Sequence, residues 1–199
     1  MKIIVVGAAG DIGRAVCAEL SGRHDVITAG RTSGDIRVDL ADEPSIAEMY
    51  RATGRVDAVV CAAGEVEFGR LAEMTGDKYL FGLKNKVLTQ INLVLAGLNA
   101  VSDDGSFTLT SGMLDRDPIR VGSGSATANG ALAGFVKAAA IDMPRGLRVN
   151  VVSPGLLEAS AEKYGSWFPG FEQVSSKRVG LAYLKCIEGG LTGQMVPVD

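Results

Sequence analysis

Gly7, Gly10 and Gly13 form a Gly-x-x-Gly-x-x-Gly turn directly after the apolar run Lys2-Ile3-Ile4-Val5-Val6. A turn of this kind brings backbone N–H groups close to a phosphate, whose charge is met by the positive end of the helix that follows. Between a first strand and a first helix, the pattern predicts a dinucleotide pyrophosphate site over Gly7, Ala9, Gly10, Asp11, Ile12 and Gly13. A purely structural turn is the alternative. Other chemistries lack donors. His24 is the single histidine, and Cys17, Cys61 and Cys186 are scattered through apolar segments without metal-ligand spacing. No metal site and no histidine-based triad is expected, and the cysteines read as buried free thiols.

The elements that must position such a site alternate along the chain. Apolar runs bounded by Gly and Asp predict strands at about 2–6, 25–30, 36–39, 57–61, 105–110, 147–152 and 194–198. Helical patterns fall near 11–22, 43–53, 77–100, 122–142 and 172–188, with a short one near 70–75. This alternation predicts an α/β fold with a doubly wound, parallel seven-stranded sheet and helices on both faces. Residues 154–171 form the one long irregular stretch, and its Tyr164, Trp167, Phe168 and Phe171 suggest a lid over a substrate pocket.

Bulk properties bound the partners. With 199 residues, 47% hydrophobic and 22% charged, one domain over 1–199 can bury a core without disulfides. A net charge of −3 gives no overall attraction to nucleic acid or to an anionic membrane. The first apolar run is too short for a signal peptide, and no stretch approaches the roughly 18 apolar residues of a membrane span. The expectation is a cytoplasmic protein that binds a small-molecule substrate, with no nucleic-acid or membrane partner.

Further motifs, taken in order, resemble those of the short-chain dehydrogenase/reductase (SDR) family over nearly the whole chain. Asp39-Leu40 after the third strand is similar to the family's adenine-contacting Asp, and Cys61-Ala62-Ala63-Gly64 to its Asn-Ala-Gly turn beside the adenine ribose. Thr108-Leu109-Thr110-Ser111 resembles the fifth strand ending in the active-site Ser. Arg148-Val149-Asn150-Val151-Val152-Ser153-Pro154-Gly155 resembles the sixth strand, with its Pro-Gly against the nicotinamide. The resemblance implies a Rossmann fold, a nicotinamide cofactor at these positions, and hydride transfer to or from a carbonyl or alcohol. After the second strand Ala29-Gly30-Arg31-Thr32-Ser33 replaces the usual acid, so Arg31 with Thr32 and Ser33 reads as a clamp for a 2′-phosphate. NADP is therefore expected rather than NAD, with a solvated surface Arg31 as the alternative.

The departures lie at the reacting end. Alignment on Gly134-Phe135-Val136 puts Ser125 where the family has its proton-handling Tyr, and Asn129 where it has the Lys four residues on. A one-residue slip would put Gly124 at the Tyr position instead. Alignment of the preceding helix on Leu83 and Leu88-Thr89-Gln90 puts Lys86 near the family's Asn. The cation lost at 129 is thus expected to reappear at 86, unless Lys86 is an exposed helical lysine like Lys84. Lys86, Ser111, Ser125 and Asn129 are the candidate catalytic residues. Tyr164 is a substitute proton donor or a packing residue of the lid, and Tyr50 and Tyr183 read as parts of outer helices. Three functions remain open. They are an NADP-dependent reductase of a small carbonyl compound, a cofactor-binding sensor or regulator with little turnover, and a non-redox enzyme reusing the pocket. A homodimer or homotetramer through the helices near 77–100 and 122–142 is expected, since Ala131, Ala133, Gly134, Ala138, Ala139 and Ala140 permit close approach.

Overall fold

Alternation within β1 (Lys2–Val6) sets the layers. Ile4 and Val6 enter one buried cluster and Ile3 and Val5 the other, as the two-residue period of a strand covered on both faces requires. A computed structural model describes residues 1–199. The chain continues as α1 (Asp11–Leu20), β2 (Asp25–Gly30), β3 (Ile36–Arg37), α2 (Glu43–Thr53) and β4 (Val56–Cys61). Next come α3 (Gly76–Gly82), α4 (Thr89–Gly97), β5 (Val101–Thr110), α5 (Ser123–Ala139) and β6 (Arg148–Pro154). The last part holds β7 (Leu156–Leu157), α6 (Ala161–Tyr164), β8 (Gln173–Val174), α7 (Ser176–Glu188) and β9 (Met195–Val198).

Seven strands pair in parallel in the order β3-β2-β1-β4-β5-β6-β9. On one face α2, α4 and α5 supply Ile46, Met49, Leu93, Leu132 and Val136, all fully buried against Phe107, Leu109 and Val149. On the other face α1 and α7 supply Val16, Leu20, Val179, Tyr183 and Ile187. Burying each such side chain contributes about 1.5–3 kcal/mol, which is what holds the layers together. Strand order reverses between β1 and β4. A crevice therefore opens at their carboxyl ends, where open α/β sheets bind ligands.

Several boundaries differ from those read in the sequence. β5 begins at Val101 rather than 105, because Ser102-Asp103-Asp104-Gly105 is absorbed by an irregularity in the β4–β5 pairing, with Asp104 at φ 61°. The helix expected to start at 172 starts at Ser176: residues 173–174 pair with β7, and Ser175 Oγ caps α7 by accepting the Arg178 N–H at 3.3 Å. The stretch 154–171 is not irregular throughout. It carries β7, α6 and two 3₁₀ turns. The short helix near 70–75 is a 3₁₀ turn, Leu71–Glu73, and the helix over 77–100 contains wider π-helical turns at Leu83–Leu88. No helix is long and apolar enough to cross a membrane.

Candidate active site

Gly7 leaves β1 at φ 81°, and a Cβ there would lie 2.7 Å from the Ala62 carbonyl oxygen. Only glycine allows the chain to turn so tightly between the ends of β1 and β4. A Cβ at Gly13 would overlap the Gly7 carbonyl, so the first turn of α1 is pressed onto the loop. The N–H groups of Asp11, Ile12 and Gly13 have no acceptor within the chain. They form an anion site at the helix N-terminus, which could hold a pyrophosphate. The Asp11 carboxylate pairs with Arg14, which also donates to the Ala9 carbonyl, and accepts the Ser160 hydroxyl at 2.6 Å. The phosphate loop is thereby tied to the segment after β7.

Beside it, Gly7, Arg31, Asp39, Leu40, Ala63 and Gly64 help line a cavity of about 200 Å³ at the carboxyl ends of the first strands. The Arg31 guanidinium bonds nothing in the chain, whereas Asp35, the first acid after β2, is turned away. Its Oδ2 accepts the Thr28 N–H (2.9 Å) and hydroxyl (2.7 Å), which lowers its pKa. Thr32 and Ser33 are exposed and do not line the cavity. Asp39 is exposed at its rim, with Oδ1 accepting the Ala41 N–H at 3.0 Å. Ala62 is fixed by its own N–H, donated to Val6 at 2.8 Å. These groups fit a dinucleotide: free N–H donors for the pyrophosphate, a free guanidinium beside the cavity, and Asp35, the first acid after β2, engaged by Thr28.

Lys86 rises from the π-helical turns, a feature frequent at functional sites. Its stem crosses Gly64, where a Cβ would lie 2.7 Å from Lys86 Cγ. Its ammonium donates to the Ser111 carbonyl at 2.9 Å and to Asn129 Oδ1 at 2.8 Å. Asn129 Nδ2 in turn reaches Ser125 Oγ at 3.4 Å. Desolvation brings the Lys86 pKa down to about 8, with the negative charge of Asp115 opposing the shift. The Ser111 hydroxyl makes one long bond, 3.3 Å to the Val152 carbonyl. All four residues line a cavity of about 250 Å³, together with Ile12, Pro154, Gly155 and Tyr164. An ammonium has three donors, and two are spent on the protein; the third remains for a ligand in this cavity.

A family model described as Enoyl-(Acyl carrier protein) reductase matches residues 4–186. The chain belongs to the short-chain dehydrogenase/reductase family. Its whole length superposes on the whole of the protein lin1944 from Listeria innocua at TM-score 0.97, with 46% identity. A small-chain dehydrogenase crystallised in complex with NADPH is 25% identical at TM-score 0.87, over 100% of this chain and 96% of that one. The Cyclic-di-GMP-binding biofilm dispersal mediator protein of Escherichia coli (strain K12) is 26% identical over 125 residues, 62% of this chain. That match spans 53% of the curated relative's own length.

In this SDR chain, Ser125 faces the cavity while Gly124 packs against the Glu67 carbonyl, 2.5 Å from where a Cβ would sit. Of the two, Ser125 is the one that borders the cavity. Tyr164 lines the same cavity and meets Trp167 in a tilted contact, ring centroids 5.8 Å apart. Tyr50 and Tyr183 do lie on covering helices, but both point inward. Burial pushes their hydroxyls well above the ordinary tyrosine range, and they bond the Leu93 carbonyl and Thr110 Oγ1. The Cys61 and Cys186 thiols are buried and pushed up to about 12, and no group of residues is arranged to hold a metal ion.

Some contributors to the site escaped the sequence. Gln90, fully buried on α4, clamps the end of β5: Nε2 donates to the Thr110 carbonyl and Oε1 accepts the Thr110 N–H, each at 2.9 Å. Its neighbours Leu88 and Thr89 give no local sign of that role. Asp115, whose buried Oδ1 has no partner, sits where its charge acts on Lys86. Arg70 and Arg120 line an outer cleft that no motif announces.

Proposed function

We propose that the chain is an NADP(H)-dependent oxidoreductase of a small carbonyl or alcohol, working through Lys86 and Ser111 instead of the Tyr–Lys pair. The observation that carries this reading is the Lys86 ammonium, held at the carboxyl end of β5 by Ser111 and Asn129. The phosphate loop, Arg31, Asp39, Ala63 and Gly64 would hold the dinucleotide, with Pro154 and Gly155 beside its reacting end. Bound there, the nicotinamide supplies or accepts hydride. The NADPH complex of the 25%-identical dehydrogenase supports the same choice for this chain.

The chain's own groups have three tasks. Ser111 Oγ, nearly free of protein partners, orients the substrate oxygen by a hydrogen bond. The unspent N–H of Lys86 faces charge that develops on that oxygen, which a fixed cation in an enclosed site can stabilise by several kcal/mol. At a pKa near 8 the same group can also release a proton to the oxygen near neutral pH. Met113, Leu114, Leu156 and Phe168 line the apolar side of the cavity and exclude water. NADPH consumption against a panel of small ketones and aldehydes tests the reading, and calorimetry with both cofactors tests the NADP preference.

A second reading is favoured by Ser125, whose hydroxyl is a far weaker acid than a phenol. On it the chain holds the nucleotide as a sensor or regulator; the E. coli relative is named for binding cyclic-di-GMP and mediating biofilm dispersal, not for a reaction. Tight NADPH binding with no turnover on any carbonyl would select it. Under either reading we place the protein in the cytoplasm and pair it as a homodimer or homotetramer. Support for pairing comes from Leu80, Leu88 and Leu95, which are 48–56% exposed along α3, the π-helical turns and α4. Light scattering at micromolar concentration decides the oligomeric state.

A further inference from the structure

Of the twelve arginines, Arg14, Arg23, Arg37, Arg51, Arg55, Arg116, Arg145, Arg148 and Arg178 each bond an acceptor in the chain. The remaining three, Arg31, Arg70 and Arg120, bond none. Arg31 borders the cofactor cavity. Arg70 and Arg120 both line a cleft of about 580 Å³ whose other walls include Phe68, Ile119, Trp167 and Phe171. One carboxylate, Glu73, lies in the same lining and pairs with neither arginine, so the cleft keeps an excess positive charge.

This cleft continues the reaction cavity. Phe68 lines both spaces. Tyr164, in the wall of the reaction cavity, meets Trp167 at 5.8 Å, and Trp167 meets Phe68 at 5.1 Å, both as tilted ring pairs. An aromatic wall thus runs from Lys86 and Ser111 outward to the two guanidinium groups. The wall carrying Arg120 is strained: Val121, a β-branched residue, is held at φ 64°, and its carbonyl accepts the Gly69 N–H at 3.0 Å. Such conformations persist where surrounding structure imposes them, and they cluster at ligand clamps.

We propose that the substrate is an anion: a carbonyl compound with a carboxylate on an aromatic or acyl body. Its carboxylate meets Arg70 and Arg120, its body lies along Phe68 and Trp167, and its carbonyl reaches Lys86 and Ser111. Guanidinium groups match carboxylates in geometry as well as charge, and aromatic walls accept a flat or apolar body. The assignment rests on the reductase reading for the carbonyl step, whereas the anion cleft can be tested without turnover.

Trp167 is the only tryptophan and reports the cleft directly. Its fluorescence is titrated with 8-oxononanoate and with the neutral ketone 2-nonanone, in which a methyl group replaces the carboxylate, in the presence of saturating NADP. The expected result is binding of the acid about tenfold tighter or better, weakened by salt. Arg70→Gln/Arg120→Gln should abolish that preference while the variant melts as a folded protein. Equal affinities, a preference that survives the double substitution, or no response to 8-oxononanoate at millimolar concentration would each overturn the proposal. NADPH oxidation is followed separately. Anion-selective binding without oxidation upholds the cleft and removes the reductase reading.

Discussion

The Lys86 ammonium donates to the side-chain oxygen of Asn129 at 2.8 Å, across the carboxyl end of β5. An amide on the earlier helix and an ammonium on the later one is the arrangement that the family resemblance implies. On the alignment proposed for this chain the two would have changed places. The pair delivers one cation and one amide to the same enclosed spot, where the Ser111 carbonyl also accepts from Lys86. No phenol takes part in this pairing: the Asn129 amide reaches Ser125, and Tyr50 and Tyr183 are committed to the core.

Turnover should therefore follow the charge on Lys86. Its pKa is lowered to about 8, so the ammonium is present below that pH and is lost above it. The kcat should be level on the acid side and fall as pH rises through about 8. Lys86→Met should lower kcat about a hundredfold or more and remove that alkaline limb, while cofactor affinity changes little. Lys86→Arg, which stays charged, should shift the limb to higher pH. Stability follows the opposite sense. Between about 8 and the ordinary 10.5 the unfolded chain binds more protons than the folded one at this site, so its contribution to stability rises with pH across that window. An unchanged pH profile in Lys86→Met would count against the role given to this residue.

Cofactor choice should depend on Arg31 alone among the three residues of its loop, since Thr32 and Ser33 do not line the cavity. A charge-assisted contact to a 2′-phosphate contributes about 1.5–3 kcal/mol, a preference of about tenfold or more for NADP over NAD. Arg31→Ala should bring the two affinities together, and Thr32→Ala should leave them apart. Calorimetric titration of both cofactors reads the difference.

How far the sequence revealed this molecule depends on how local each signal was. The alternating β1, the glycine turn and the apolar β4 and β6 are short-range patterns, and all seven sheet strands lie close to where those patterns put them. The placement of Lys86 was legible only through its spacing from Leu88-Thr89-Gln90; nothing at 86 itself separates it from exposed Lys84. Gln90, Arg70, Arg120 and Asp115 were not legible. Their roles arise from residues 20 or more positions away, such as Thr110 for Gln90, or from which surfaces the chain brings together around one cleft. The small β7–β8 sheet was hidden for the same reason, since neither two-residue strand has a pattern of its own.

The Gln90 clamp predicts a stability cost without a change in chemistry. Gln90→Leu keeps the volume similar but leaves the Thr110 N–H and carbonyl without that partner in a fully buried place. An unpaired buried polar group costs about 1–3 kcal/mol, so a loss of about 2–4 kcal/mol is expected in urea unfolding. A loss under about 0.5 kcal/mol would mean that the clamp contributes nothing.

The proposed exchange of Lys86 and Asn129 also predicts which repair succeeds. Ser125→Tyr with Asn129→Lys introduces the family's pair beside an ammonium already present, and the two cations would compete for the space now bridged at 2.8 Å. Like charges that close lower each other's pKa and destabilise the fold. Adding Lys86→Asn removes the conflict and restores an amide opposite the new lysine. The triple variant should melt at a higher temperature than the double and bind NADP as the parent does. Its carbonyl reduction should exceed that of Lys86→Asn alone by about 10²–10⁴, the usual contribution of a positioned acid. Ser125 lines the cavity, so the tyrosine ring has open volume to enter. Equal stability and equal rates in the double and triple variants would show that Lys86 and Asn129 do not share one site in function.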